Sequence, residues 1–427
     1  MAAGADSRVW HPFADMARVR HEQFIVTRGE DVWVWGRDGR RYLDATASLW
    51  YANVGHGRRE IREAVMRQLE RLEAYSMFGD FANEPALALG ERLAELAPMQ
   101  DARVFLGSGG GDGIETAAKL ARRYWHALGE PQRTLLISRT SSYHGTHGYG
   151  TALAGIEANA SGFGELLGGT IQVPYDSAAA LEGELRRQGP ERVAAFFVEP
   201  VIGAGGVYPP PDGYIEAVAE ICERTGVLLV VDSVICGFGR LGSWFGIERF
   251  GVRPDMIVFA KGVTSGYLPL GGVLVSGRVA EPFFSGPDAP VFRHGATYSG
   301  HATCCAAALA NLDLLEREGL IARGRELESE LLEVFASLAS HPLAAEARGG
   351  VGMLAAVELE PDALAERPDL VQEVARLTRE RGVIVRALSS ALAASPPLTA
   401  TREHFELIGQ ALGEALDQAL GASAAAS

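Results

Sequence analysis

The sequence predicts an α/β fold, with a mainly parallel sheet in a large domain and a smaller α+β domain. Three observations carry this expectation. From about residue 100 to residue 275, short apolar runs alternate with helical patterns. The runs are continuous rather than alternating, which suits strands covered on both faces. After about residue 300 the pattern changes to helices separated by isolated strand-like segments.

Taken in order, Glu30–Trp35, Gly36–Gly39 and Arg41–Asp44 read as strand, turn and strand, a hairpin with a glycine-containing loop. Ser48–Gly57 is rich in aromatics and glycine, lacks periodicity, and reads as a shaped loop. Residues 58–75 and 84–97 read as amphipathic helices on either side of the irregular segment Tyr75–Phe81. The apolar runs are Val104–Leu106, Thr134–Ile137, Val193–Val198, Val227–Val231, Met256–Phe259 and Gly272–Val275. Between two of them, the helix Gly213–Arg224 places Ile215, Val218, Ala219 and Cys222 on one face. A long helix over 301–340 then leads to the strand-like Gly350–Glu358, a helix, Gly382–Arg386 and a final helix. The expected division is residues 1–55 joining the small domain, 56–305 as the large domain and 306–427 as the C-terminal small domain.

Composition excludes several classes of function. At 427 residues, 47% of them apolar, the chain can bury a sizeable core. A net charge of -15 argues against nucleic acid, whose phosphates need a basic surface. Cys222, Cys236, Cys304 and Cys305 form no CxxC pair and no Cys/His cluster at metal spacing, so no metal site is expected. All four lie in apolar segments and read as core thiols of a reducing compartment. The first residues, Met1–Arg8, lack the apolar stretch of a signal peptide, and no run approaches membrane-spanning length. A cytoplasmic location with no membrane association is expected.

The chemistry is suggested by one scarce residue. Lys119 and Lys261 are the only lysines in the chain. Lys119 lies within a helical stretch with an exposed basic face, whereas Lys261 follows the strand-like Met256–Phe259. Arginine cannot replace lysine where an amine must lose its proton and attack, so a lysine kept at a strand end points to imine chemistry. Open parallel sheets collect function at the carboxyl ends of their strands, and three further candidates sit there. Gly107–Gly113 follows a strand and opens a helix, where free N–H groups and the helix dipole favour an anion; it lacks the P-loop ending. Asp232 directly follows the apolar run Val227–Val231 and needs a partner, which a protonated ring nitrogen or a basic side chain would supply; a helix cap or structural ion pair is the alternative. Tyr143, in Tyr143–Gly145, could stack on a planar ligand or sit in the core. Gly237–Gly242 matches G-x-G-x-x-G, but Asp232–Cys236 separates it from its strand and Ser243–Gly246 beyond it is a poor helix start, so a nicotinamide site is not expected. A phosphate turn, a carboxylate, a lysine and an aromatic together match the needs of pyridoxal 5′-phosphate (PLP).

Over almost its whole length, from His11–Phe13 to the last helix, the chain resembles the class III aminotransferases of PLP fold type I, and among them the ω-amino acid or amine:pyruvate transaminases. The most specific stretches are Val234–Arg240, Ala260–Gly271 and His294–His301. The resemblance implies that Lys261 is the Schiff-base lysine and Asp232 the partner of the pyridine nitrogen. It implies Val234 on one face of the ring and Tyr143 on the other, with His144 and Glu199 beside the cofactor. Gly110 and Gly111 would hold the phosphate, and Thr297 would add a contact from the neighbouring subunit of a homodimer with shared active sites. Trp50 and Phe78 would shape the substrate pocket, and Arg386 would bind a substrate carboxylate. The activity implied is transfer of an amino group from an amine or ω-amino acid to a keto acid, pyruvate foremost, with Lys261 serving as base and acid.

Three departures from that pattern stand out. Ser233 replaces the usual Glu after the aspartate, Gly111 replaces a serine of the phosphate turn, and Ala387–Ser390 lacks the glycine common after the arginine. Two alternatives remain open on sequence alone. One is an aminomutase, epimerase or decarboxylase on the same fold; the other is a homologue that binds PLP but has lost activity.

Overall fold

The computed structural model describes residues 7–426. Its centre is a seven-stranded sheet built from β1 (Arg103–Gly107), β2 (Leu135–Arg139), β3 (Thr170–Val173), β4 (Val193–Val198), β5 (Leu228–Asp232), β6 (Met256–Phe259) and β7 (Gly271–Val275), in the order β1-β7-β6-β5-β4-β2-β3. All strands run parallel except β7, which is antiparallel to both β1 and β6. The apolar runs become central strands because helices cover both faces: every residue of β4, β5, β6 and β7 is buried. Each fully buried Val or Phe there contributes about 1.5–3 kcal/mol of transfer free energy. The edge strand β3 is absent from the expected set, since Thr170, Ile171 and Gln172 are only partly covered or exposed and break the apolar run.

The sequence expectations for the helices at 58–75 and 84–97 correspond to Arg59–Arg71 and Glu84–Leu96; Asn83 caps the second, its side chain accepting from Ala86 N. The single helix expected over 301–340 is instead three, Ala302–Arg317, Leu320–Glu326 and Glu328–Leu338. Gly319, in the left-handed region at φ 66°, ends the first. The boundary expected between 305 and 306 falls inside Ala302–Arg317. This helix packs on the central unit, and its buried Asn311 donates to the Gly262 and Val263 carbonyls at 2.9 and 3.0 Å.

Two four-stranded sheets complete the fold. The N-terminal hairpin gains a strand, Val26–Glu30, ahead of Trp33–Gly36 and Arg41–Asp44. Its fourth strand comes from the far end of the chain: Val383–Ile384 lies parallel to Arg41–Asp44. After Val385 the chain enters the other sheet, where Arg386–Ala387 pairs with Ala391–Ala394, which in turn pairs with Ala355–Leu359 and so to Ala344–Arg348. Arg386 therefore stands where the backbone leaves one sheet for the other.

The Gly237–Gly242 run opens no helix. It forms a tight turn, with Gly239 and Gly242 at φ 90° and 77°, around the fully buried Arg240. The Arg240 guanidinium donates to Asn53 Oδ1 (2.9 Å) and to the carbonyls of Pro396 (2.6 Å) and Met353 (3.2 Å). Burial pulls its pKa down to about 10. It thus ties the N-terminal loop, the central unit and the C-terminal segment together. Arg240→Ala leaves those acceptors unpaired in the core and should cost about 3 kcal/mol or more in chemical denaturation, a loss far above that of a surface arginine.

Candidate active site

The site forms at one edge of the central sheet, where the parallel strands present their carboxyl ends. Asp232 is the last residue of β5, and Glu199 follows β4 directly. Lys261 lies two residues beyond β6, and Tyr143–Gly145 lie in the loop after β2. Because β7 is antiparallel, it brings its first residue, Gly271, to the same edge beside the turn after β1. A Cβ on Gly271 would lie 2.6 Å from the Gly109 carbonyl carbon, so only glycine lets the turn pass.

That turn, Ser108–Gly111, opens the helix Gly110–Ala127, which has no side-chain cap at its N-terminus. Asp112 closes the turn from inside the helix by accepting from Ser108 N at 2.9 Å. A Cβ on Gly110 would lie 2.9 Å from Val234 Cγ2, which fixes glycine there too. The result is a cradle of backbone N–H groups at the positive end of a helix, a place suited to an oxyanion.

Eight of the residues singled out from the sequence line one cavity of about 480 Å³: Gly110, Gly111, Tyr143, His144, Glu199, Asp232, Val234 and Lys261. Asp232 is held from two sides. Its Oδ2 pairs with His144 Nδ1 at 2.8 Å, and its Oδ1 accepts from Val234 N at 3.1 Å. His144 is itself buried, and its Nε2 has no partner. Glu199 accepts from Tyr143 N and Gly203 N, both at 3.1 Å, and burial raises its carboxyl above the ordinary range despite the opposing His144 charge. Burial likewise raises the Tyr143 phenol, with the charge of Asp232 adding to the shift and that of Arg386 opposing it.

Among the described residues, no hydrogen bond or ion pair holds Lys261 Nζ. Burial pushes the ammonium below its ordinary range, with Asp232 and Glu199 acting against the shift. The lysine therefore carries more free amine near neutral pH than an exposed one would, which is what a nucleophile needs. Its backbone lies in the left-handed region at φ 49°, costly for a residue with a Cβ, and Asn311 pins the following turn.

Four predicted residues lie outside the cavity lining. Trp50 is buried in an apolar cluster with Val201, Val207, Ile235 and Leu388, packed so closely over Gly203 that a Cβ there would lie 2.6 Å from Trp50 Cζ3. Leu49 and Tyr51, its neighbours, face the cavity instead. Positive φ at Ala47, Ser48 and Trp50 sets that orientation, and buried Asp44 holds the loop by accepting from Ser48 N (2.7 Å) and Thr46 Oγ1 (2.9 Å). Phe78 is 54% exposed and Thr297 is exposed, and neither lines the lysine cavity. Phe78 lines a larger concavity of about 970 Å³ with Leu87, Val291 and Phe292. Arg386 lines a neighbouring depression with Arg18 and Glu22, near enough for its charge to act on both Tyr143 and Lys261. Tyr51 is among the cavity residues that sequence reasoning passed over, with Leu49, Ile235 and Thr264; its place directly after Trp50 in an aromatic loop was the available signal.

Two departures have local explanations. Ser233 is fully buried and donates its hydroxyl to the Phe245 carbonyl at 2.6 Å, so it is a satisfied core residue. Gly111 lies beneath the ring of His147, which approaches within 3.1–3.2 Å of where a Cβ would stand. The four cysteines are free and buried, and burial raises each thiol, Cys304 to about 11 and Cys305 to about 12. Among the described residues, no group of His, Cys, Asp and Glu is arranged to hold a metal, and no helix is long and apolar enough to cross a membrane.

With a lysine, a carboxylate–histidine pair and an anion cradle in one cavity, the chain can be set beside known proteins. It belongs to the class-III aminotransferases, whose family model matches residues 16–416. It is 39% identical over 90% of its length to a diaminobutyrate–2-oxoglutarate transaminase of Halomonas elongata, covering 88% of that protein. It is 36% identical to a putrescine–pyruvate aminotransferase of Pseudomonas aeruginosa, covering 96% of this chain and 94% of that one. Among solved structures, an amine transaminase from an uncultivated Pseudomonas species in its PLP-bound form superposes with a TM-score of 0.93 at 36% identity, over 97% of this chain and 99% of the other. The protein is an aminotransferase, and its fold is PLP-dependent fold type I.

The lysine environment predicts a dependence of stability on pH. Because the folded-state pKa of Lys261 lies below the unfolded 10.5, charging it opposes folding, and the penalty fades as pH rises toward 10.5. Without cofactor, Lys261→Met should therefore raise the melting temperature at pH 7 relative to wild type. The gain should shrink when both are melted near pH 10.

Proposed function

We propose that this aminotransferase uses PLP to move an amino group from an amine or ω-amino acid to a keto acid, with pyruvate as the acceptor. One observation carries the cofactor assignment: Lys261, with Nζ unpartnered, shares a cavity with the Asp232–His144 pair and the uncapped glycine turn. These residues fit PLP group by group. The turn Ser108–Gly111 would take the phosphate, and Asp232 would keep the pyridine nitrogen protonated. Each carboxylate oxygen has two acceptor positions, so the contacts to His144 and Val234 leave capacity for that bond. Val234 and Tyr143 would flank the ring. When bound, PLP supplies the electron sink that stabilises negative charge at the carbon bearing the nitrogen.

The rest is the work of this chain. Lys261 Nζ would hold the aldehyde of the cofactor and, as the one free amine in the cavity, would serve as base and then acid for the proton of the substrate carbon. His144 holds Asp232 in place through the contact of its Nδ1 with Oδ2. Arg386 would hold the keto-acid carboxylate; it is the guanidinium whose charge reaches Lys261, and a fork of N–H groups suits a carboxylate. Relatives named for pyruvate, including a β-alanine–pyruvate aminotransferase of Pseudomonas aeruginosa, support the acceptor. Leu49, Tyr51 and Ile235 in the cavity wall favour apolar donors.

We propose further that the enzyme is a homodimer with shared active sites. Phe78 and Thr297 would then serve the partner's cavity. The exposure of Phe78, Val291 and Tyr298 supports this, because large apolar groups left bare on one face call for a partner. Buried reduced cysteines suit a cytoplasmic setting.

Borohydride reduction of the PLP-treated protein followed by peptide mapping should label Lys261; label elsewhere, or none, overturns the assignment. A panel of amines with pyruvate and 2-oxoglutarate as separate acceptors should give turnover with pyruvate. Turnover with no keto acid present would favour an aminomutase, epimerase or decarboxylase instead. Arg386→Leu should raise KM for pyruvate about tenfold or more, the loss expected of a charge-assisted contact, and alter KM for an uncharged amine far less.

A further inference from the structure

The glycine at 111 removes a side chain from the phosphate turn, and the structure shows what fills its place. The His147 ring lies over Gly111, with Cε1, Nδ1 and Nε2 at 3.1, 3.2 and 3.2 Å from where a Cβ would stand. The ring is brought there by the backbone. Gly145, at φ 88°, turns the loop after Tyr143 directly onto the Gly111 α-carbon, leaving only 3.3 Å for a Cβ of its own. His147 then begins the helix Gly148–Leu153 but does not cap it with its side chain. Its imidazole lines the concavity beside the turn, with Thr146, Gly148 and Thr151. Asp112, anchored through Oδ2 to Ser108 N, has its Oδ1 at 3.7 Å from His147 Nδ1 and steadies the ring over the turn.

We propose that His147 supplies the polar contact to the cofactor phosphate that Gly111, lacking a side chain, does not. The inference rests on the PLP reading above. It makes positions 111 and 147 a matched pair: a small residue in the turn leaves room for the imidazole, and a hydroxyl in the turn makes the imidazole dispensable. A serine at 111 would bring its Cβ within 3.1–3.2 Å of the ring, which would have to give by a few tenths of an ångström.

The test is a double-mutant cycle read by cofactor affinity rather than turnover. Apo-enzyme is titrated with PLP and, separately, with pyridoxal, which lacks the phosphate. His147→Ala should weaken PLP about tenfold, as expected for one lost charge-assisted hydrogen bond, and leave pyridoxal affinity unchanged. It should also shift the ³¹P resonance of the bound phosphate. Gly111→Ser combined with His147→Ala should recover most of the lost affinity. His147 is half-exposed, so the thermal stability of the apo variants should stay near wild type. If wild type binds PLP but His147→Ala changes neither the PLP-to-pyridoxal ratio nor the ³¹P signal, the role given to His147 is wrong while the cofactor reading stands. If wild type binds no PLP, both fall together.

Discussion

The structure is organised around a demand that ordinary folding energetics resists: one amine must sit among apolar strand ends without an ion pair to neutralise it. Burial lowers the affinity of Lys261 for a proton, and the two nearby carboxylates do not undo this because each is already engaged. Asp232 is turned toward His144 and the Val234 amide, and Glu199 toward two backbone amides. Had either closed on the lysine, the amine would be a structural cation and no nucleophile. The left-handed backbone at 261 adds a further cost, and Asn311 and the close-packed glycine turns hold the arrangement against both.

The cavity is made of strand ends, so its parts are far apart in sequence and near in space. Gly110, Tyr143, Glu199, Asp232 and Lys261 come from five separate β-to-loop junctions. Their relative positions are set by strand pairing and not by local structure. Arg240 performs a similar service at larger scale, joining loop 53, the central unit and the segment at 396 through one buried guanidinium.

These facts also explain which features could be read from the sequence and which could not. Strands covered on both faces announce themselves as apolar runs, so β4, β5, β6 and β7 were readable, and β1 and β2 showed through their own apolar runs; β3, at a sheet edge with Thr170 and Gln172 breaking the pattern, did not. The direction of β7 was hidden, because a doubly covered strand has the same composition whichever way it runs. Lys261 was readable because the chain has so little lysine, and Asp232 because a carboxylate ending an apolar strand needs a reason. The orientation of Trp50 was not: three positive φ angles turn it into the core and turn Leu49 and Tyr51 toward the cavity, and no residue there is glycine to hint at them. Ser233 looked like a departure and is a satisfied core hydroxyl.

Lysine scarcity has a practical side. The exterior of the chain offers reagents such as activated esters a single side-chain address, Lys119, on the outward face of the helix that begins at the glycine turn. Attachment of a dye or a bead would be confined to that side chain and the α-amino group. The tether would leave from the middle of that helix, and the covalent handle and the chemistry would share one rigid rod.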